Sequence, residues 1–241
     1  LGNQIVGVDI TSTYPPELKD IPRVGHNRNI QPEGILALQP DIVIGQAGAL
    51  KPEIINQLGQ LTKLVLLDHE MTRAGTSRMM KALQDSLGLS NQAKTIDGRI
   101  DSALALIAPL PQAPKVLFVY ARGVGNLHVA GKKTSLDEII RMAGGKNAVQ
   151  DFEDFKPLTT EALVAANPDV ILMFDSGLKS LEGMDGLLEI PGMAMTQAGI
   201  NKQVITMDGQ KLSGFGPRVG QAALELNRAF QEMESLLASG L

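Results

Sequence analysis

The sequence predicts an α/β protein of two similar lobes, each with a parallel central sheet, joined by one long α-helix. Three observations support this prediction. A stretch of twelve residues occurs twice, strand-like apolar runs alternate with helix-like segments in both halves, and a long helical stripe lies between the halves. Strands that alternate with helices are typical of parallel sheets whose strands are joined by crossover helices.

The repeated stretch comprises residues 33–44 and 161–172, which align without a gap and share Glu, Ala, Pro and Asp at identical places. Each copy predicts a short helix that begins near Glu33 or Glu161 and ends before a proline, because the residue preceding proline avoids the helical region. The β-branched run after the shared Pro-Asp predicts a buried strand. Two such units indicate two similar lobes, although helix, Pro-Asp and strand also follow one another by chance in α/β proteins.

Apolar runs between turn residues predict the strands of both lobes, and helical spacing predicts the helices. The expected strands are residues 5–8, 41–44, 64–67, 115–120, 170–174 and 204–207. The main expected helices are residues 52–58, 134–143 and 217–237. The loops at the carboxyl ends of these strands are where α/β folds usually bind ligands.

A stripe of apolar residues between the lobes predicts the connecting helix. Apolar residues from Ala93 to Ile107 recur at helical spacing. Ser90 is a suitable N-cap for the helix, and Pro109 prevents the helix from continuing. A helix over residues 90–108 would be roughly 28 Å long. We therefore expect an N-terminal lobe, a connecting helix and a C-terminal lobe at residues 1–88, 89–110 and 111–241.

Composition and charge restrict the possible functions. Lys and Arg number 22 against 26 Asp and Glu, which gives a net charge of −4 without any basic run and argues against nucleic acid as a partner. The absence of Cys excludes disulfides and thiolate metal sites. No apolar run reaches the length of a membrane span. The chain begins abruptly at Leu1 without a signal peptide, so we expect the start of the gene product to be missing.

Side chains suited to catalysis are few. His26, His69 and His128 are far apart in sequence and form no i, i+4 pair of a helical metal site. There is neither a phosphate-binding Gly-Lys-Ser/Thr loop nor a Gly-x-Ser-x-Gly nucleophile motif. Two lobes and this short inventory indicate a cleft-binding protein rather than an enzyme. A Rossmann-type nucleotide-binding enzyme, through the glycines near Gly214, and a divalent-metal binding protein are the alternatives from other classes.

Several stretches together resemble one family. They are residues 6–15 (VGVDITSTYP), 22–28 (PRVGHNR), the repeat at Glu33, 181–188 (LEGMDGLL) and 214–218 (GFGPR). Over essentially the whole chain they resemble the heme-binding periplasmic substrate-binding proteins of bacterial ABC transporters. The resemblance implies two Rossmann-like lobes that hold heme in the cleft and deliver it to a membrane permease. It also implies a periplasmic monomer, free or lipid-anchored, with heme as cargo, no catalytic cofactor, and a further strand and helix ahead of Leu1.

One position departs from the family pattern. The family usually has Tyr in a Val-Gly-Tyr-x-Arg loop, where the phenolate binds heme iron and the Arg supports it, whereas this chain has His26 and retains Arg28. Imidazole is a common axial ligand of heme iron, so the resemblance implies His26 as the iron ligand. Binding should weaken at acidic pH, because protonated imidazole cannot bind a metal. Alternatively, His26 is an ordinary loop residue and the cargo is a corrinoid or a ferric siderophore.

Other residues are expected to contact the ligand or the permease. Arg122 can pair with a heme propionate, or it is an ordinary solvated residue. Arg218 can reach an anion, or it closes the last helix onto the sheet. Tyr14 is expected at the cleft mouth, Tyr120 points either into the cleft or into the sheet, and His128 is interpreted as a surface or loop residue. The resemblance implies that Glu33 and Glu161 dock on permease arginines. Each Glu also suits a helix N-terminus, where the dipole contributes about 0.3 to 1 kcal/mol.

Overall fold

The computed structural model describes residues 2–26 and 29–239, although the side chains of residues 237–239 are not described. It divides into two compact units. Unit 1 consists of Leu1–Glu70 and Ala74–Lys94, and unit 2 consists of Met71–Arg73 and Thr95–Leu241. The division after Lys94 falls within a helix that spans Gln92–Leu104.

Unit 1 contains two small sheets and short helices. Its strands are β1 (Gly25–His26), β2 (Asn29–Ile30), β3 (Ile42–Gln46) and β4 (Lys63–Leu67). Its helices are α1 (Pro32–Leu36), α2 (Pro52–Leu61) and most of α3 (Arg73–Ser86), together with 3-10 turns at Gly2–Gln4 and Pro16–Asp20. β1 and β2 pair antiparallel, whereas β3 and β4 pair parallel. The next helix, α4 (Gln92–Leu104), crosses from unit 1 into unit 2.

Unit 2 is built on a six-stranded mixed sheet. The strands are β5 (Lys115–Ala121), β6 (Leu127–Ala130), β7 (Lys146–Asn147), β8 (Phe155–Pro157), β9 (Val170–Phe174) and β10 (Val204–Met207). They lie in the order β10-β9-β5-β6-β8, and β7 pairs with one end of β5. β10, β9 and β5 run parallel, while β6 and β8 are antiparallel to their neighbours.

Helices cover this sheet. They are α5 (Ser135–Met142), α6 (Thr160–Ala166), α7 (Asp175–Ser180), α8 (Met184–Leu188), α9 (Gln197–Ile200), α10 (Gly209–Ser213) and α11 (Val219–Ser239), with a 3-10 turn at Met193–Met195. Val116 and Phe118 belong to one buried cluster and Leu117 and Val119 to another. Strand β5 is therefore buried on both faces, as expected of a central parallel strand.

The structure confirms the α/β fold and most of the strongest sequence signals. Residues 170–174 and 204–207 are the predicted strands without any shift of boundary. The connecting helix is shorter than predicted, because α4 ends at Leu104 and residues 105–107 continue only as turns. The strand predicted at residues 5–8 is wrong: only Val8 forms a bridge, with Arg23. Strands β6 and β8 were missed, and they add an antiparallel extension to a sheet predicted to be parallel.

The repeated stretch has a similar backbone in both units, although α1 is two residues shorter than α6. In each copy the residue before the shared proline is left-handed, with φ of 48° at Gln39 and 37° at Asn167. In each copy the proline carbonyl accepts a hydrogen bond from the segment ahead of the next strand. Thr62 Oγ1 donates to Pro40 at 2.9 Å, and the amide of Ala198 donates to Pro168 at 2.9 Å. The two stretches thus share a local fold as well as a sequence.

This equivalence predicts a stabilising substitution. Asn tolerates the left-handed region better than other non-glycine residues, so Gln39→Asn should raise the free energy of unfolding by about 0.5 kcal/mol. Urea unfolding followed by circular dichroism measures the change. The matched control is Gln57→Asn on the exposed face of α2, where the backbone is helical and the exchange should be neutral or destabilising. A destabilised Gln39→Asn protein would contradict the equivalence.

Candidate functional site

His26 lies in a strand of unit 1. It is half-buried in β1 opposite Asn29, and the preceding Gly25 has a φ of 113°, which a residue with a side chain rarely adopts. The amide of Ile10 donates to the Gly25 carbonyl at 2.9 Å. The backbone next to His26 is therefore held against the segment that follows Val8. Arg28, the predicted support for the iron ligand, lies outside the described residues, and its role stays a prediction.

The loop after Val8 is ordered by an internal carboxylate. Asp9 accepts hydrogen bonds from the Thr11 amide at 2.8 Å and from the hydroxyl groups of Thr11 and Ser12. Burial raises the pKa of Asp9, but these hydrogen bonds together outweigh burial and leave the pKa below its ordinary value. Asp9 is consequently ionised at neutral pH and holds the start of the loop that carries Tyr14.

Arg23 fixes the same loop from outside. Its guanidinium donates to the carbonyl oxygens of Asp9 at 3.1 Å, Ser12 at 2.7 Å and Leu18 at 3.0 Å. Tyr14 lies between these contacts and is 51% exposed. Arg23 is not among the residues expected from the sequence, where its one signal is its place three residues before His26 in the 22–28 stretch.

In unit 2, Tyr120 and Arg122 lie together at the carboxyl end of β5. The guanidinium carbon of Arg122 is 5.8 Å from the centroid of the Tyr120 ring, within reach of a cation–π contact. The Tyr120 ring meets Phe174 edge-on, with centroids 6.1 Å apart and an interplanar angle of 85°. Tyr120 is thus half-buried against the core cluster, while Arg122 is exposed.

His128 is not in a loop, contrary to its interpretation from the sequence. It lies half-buried in β6 and pairs with Tyr120 on one side and with Pro157 on the other. Directly opposed residues of an antiparallel pair place their side chains on the same face. The imidazole therefore shares a sheet face with the phenol of Tyr120.

Arg218 lies near the carboxyl end of β10. Its Nη2 is 3.6 Å from Oδ1 of Asp208 and 3.4 Å from Oε1 of Gln210, and its side chain is 21% exposed. Asp208 also caps α10, because its carboxylate accepts a hydrogen bond from the Lys211 amide at 2.8 Å. Arg218 therefore forms an ion pair with Asp208 of its own unit.

Glu33 and Glu161 are exposed in the first turns of α1 and α6. Helix α6 is capped by Thr159, whose hydroxyl oxygen accepts from the Ala162 amide at 3.2 Å. The Met193–Met195 turn lies close to α6, because a Cβ added at Gly192 would lie 3.0 Å from Cγ2 of Thr160. Each Glu thus lies on the surface of its own unit at an equivalent place of the repeat.

Residues 2–26 and 29–239 contain neither a metal-binding cluster nor a membrane-spanning helix. Within these ranges, no group of three or more His, Asp or Glu side chains is arranged to hold a metal ion. No helix in the same ranges has the length and apolar character needed to cross a membrane.

Comparisons with known proteins agree on a binding protein but include two kinds of ligand. The family described as periplasmic binding protein matches residues 1–211. The periplasmic heme-binding protein BhuT, solved with two hemes, is 37% identical and has a TM-score of 0.89, over 95% of this chain and 88% of BhuT. The periplasmic heme-binding protein RhuT of Roseiflexus sp. RS-1, solved in its apo form, is 38% identical with a TM-score of 0.89, over 95% and 90% of the chains. The vitamin B12-binding protein of Salmonella typhi is 25% identical over 95% of this chain and 83% of its own.

Proposed function

Because the chain belongs to the periplasmic binding protein family, we propose that it captures heme and delivers it to the permease of a bacterial ABC importer. The observation that carries the proposal is the likeness to BhuT and RhuT, two heme-binding proteins that resemble this chain over 95% of its length. As a substrate-binding component, the protein would act as a periplasmic monomer and would release its cargo chemically unchanged.

Unit 1 would supply the iron ligand. His26 is half-buried on a strand whose backbone is fixed by the bond from Ile10 to Gly25. An imidazole on a strand held by backbone hydrogen bonds is suited to axial ligation of heme iron. Tyr14, on the adjoining loop, would contact the porphyrin edge, and Arg28 would support His26 as its family counterpart supports the phenolate.

Unit 2 would supply the contacts to the propionates. Arg122 is exposed and can form a bidentate pair with a carboxylate. Arg218 can do the same by exchanging Asp208 for a propionate. Tyr120 joins these candidates because its ring lies beside Arg122, and it offers a second phenol to the tetrapyrrole.

A corrinoid is the second candidate cargo, because the vitamin B12-binding protein of Salmonella typhi also aligns with 95% of this chain. A ferric siderophore is a further alternative of the same carrier type. Both heme-binding relatives are more similar, at 37% and 38% identity against 25%. Heme is therefore the preferred ligand.

A titration of the purified protein distinguishes the candidates. Hemin is expected to bind saturably, with a shifted Soret band and no turnover, whereas cyanocobalamin should neither bind nor compete. The matched control is the same titration with iron-free protoporphyrin, which should bind more weakly because it offers no metal to an axial ligand. Saturable binding of cyanocobalamin without binding of hemin would contradict the proposal.

The permease is proposed to bind both units through Glu33 and Glu161. Exposed charges steer and orient association, and a carboxylate at the same place in each half suits a partner with two equivalent subunits. Arginine is the expected counterpart, because its planar fork binds a carboxylate bidentately.

A further inference from the structure

The loop that carries Tyr14 and the strand that carries His26 meet at one side chain, that of Arg23. We propose that Arg23 is a positioning residue for ligand binding: it holds residues 9–18 against β1 and thereby fixes the places of Tyr14 and His26. This inference rests on the proposed heme function and adds to it a residue outside the proposed ligand contacts.

The backbone first places Arg23 beside the loop. Val8 and Arg23 form a parallel bridge, in which the Val8 amide donates to the Pro22 carbonyl at 3.0 Å and the Val24 amide donates to the Val8 carbonyl at 3.0 Å. Ile10 extends this pairing to Gly25. Backbone hydrogen bonds therefore join the strand that leads to His26 to the segment that opens the loop.

The guanidinium then closes the loop. It contacts the carbonyls of Asp9 and Ser12 near the beginning of the loop and that of Leu18 near its end. Leu18 is buried, so its carbonyl is a fixed point of unit 1. Tyr14 lies between the two groups of contacts, and its backbone is restrained from both sides.

Asp9 and Arg23 act on different groups of the same loop. The Asp9 carboxylate accepts from hydroxyl and amide donors, while Arg23 donates to carbonyl acceptors. Together they provide partners for donors and acceptors that a strand or helix would otherwise satisfy. Ahead of the 3-10 turn at Pro16–Asp20, the loop consequently has a defined shape without regular secondary structure.

The geometry requires Arg. A guanidinium presents five donors in a rigid plane, and here two of its nitrogens reach three carbonyls. The single ammonium of Lys at the end of a flexible stem cannot reproduce this arrangement. Because Arg23 is exposed to solvent, its main effect is expected on the order of the loop and only weakly on global stability.

The test is Arg23→Lys, which keeps the charge and removes the planar fork. Hemin affinity should fall about tenfold, as for other residues that orient a metal ligand, and the Soret and visible bands should shift or broaden. Arg78→Lys is the matched control: Arg78 is an exposed Arg of unit 1 that pairs with the side chain of Glu70, and its exchange should leave the titration unchanged.

A double-mutant cycle separates positioning from a direct charge effect. In a His26→Ala, Tyr14→Ala background, Arg23→Lys should add little further loss of hemin affinity, because both side chains that it positions are gone. An equal tenfold loss in both backgrounds would overturn the proposal, and so would Arg23→Lys protein that binds hemin like the wild type.

Amide hydrogen exchange tests, in the free protein, whether the contacts of Arg23 with the carbonyls of Asp9, Ser12 and Leu18 hold the loop in place; we call these three contacts the clamp. In Arg23→Lys, amides of residues 9–18 and of His26 should exchange faster, while those of β3 and β4 remain unchanged. Unchanged exchange at residues 9–18 would refute the clamp whatever the ligand. If the wild-type protein binds no hemin, the proposed heme function is wrong, whatever the exchange experiment shows about Arg23. The double-mutant cycle is then measured with cyanocobalamin as the ligand.

Discussion

Replacing His26 with alanine is expected to weaken hemin binding by on the order of 100-fold and to remove the imidazole signature from the visible spectrum. Loss of a coordinating group should cost at least as much as loss of a residue that merely orients one, for which 10- to 100-fold is usual. His26 lies on a strand anchored to Ile10, so its removal should leave the backbone of unit 1 in place. Hemin titration followed in the Soret and visible regions measures both changes.

Two variants complete the experiment. His26→Tyr restores the residue usual in the family and should recover binding with a phenolate-type spectrum. His69→Ala removes another half-buried imidazole of unit 1 and should bind hemin like the wild type. Undiminished binding by His26→Ala would mean that another residue is the iron ligand. The next residues to test would then be Tyr14, Tyr120 and His128.

Replacing both Glu33 and Glu161 with alanine is expected to reduce hemin uptake by cells on the order of 100-fold. Each substitution would remove a charge-assisted hydrogen bond to the permease, worth at least about 1.5 kcal/mol or roughly tenfold, and two such losses multiply to roughly 100-fold in the association constant. Both side chains are exposed, so folding should be little affected. Uptake of isotopically labelled hemin measures the effect, and each single variant should lie between the wild type and the double variant.

The control for this pair is Glu53→Ala with Asp185→Ala. These exposed carboxylates also occupy first helical turns, one in unit 1 and one in unit 2, but lie outside the repeat. This variant should take up hemin normally. Purified Glu33→Ala, Glu161→Ala protein must bind hemin with wild-type affinity, and a loss of binding in vitro would refute the docking assignment.

The sequence predicted those elements whose signals are local. β9 and β10 are short runs that open on Val-Ile between turn residues, and α5 begins directly after Thr134, whose hydroxyl oxygen accepts a hydrogen bond from the Asp137 amide at 3.1 Å. β6 and β8 escaped prediction because they are short and contain His128, Lys156 and Pro157 in place of an unbroken apolar run. Their pairing depends on contacts between distant parts of the chain, which no local pattern records.

The candidate site was predictable only in part. The family resemblance indicated His26, Arg122 and Arg218 as candidate ligand contacts, but it did not indicate which residues surround them. That Arg218 pairs with Asp208, and that Tyr120 packs against Phe174, depends on how strands far apart in sequence end side by side. Arg23 was missed for the same reason, since its partners are carbonyl groups that any residue possesses.

The placement of the two tyrosines has a practical consequence for optical measurements. The chain has no tryptophan, so its ultraviolet fluorescence comes from Tyr14 in unit 1 and Tyr120 in unit 2. Changing either one to phenylalanine leaves a single emitter that reports on one unit. Energy transfer from that phenol to a bound tetrapyrrole then reveals, without any attached label, whether the ligand lies close to that unit's tyrosine.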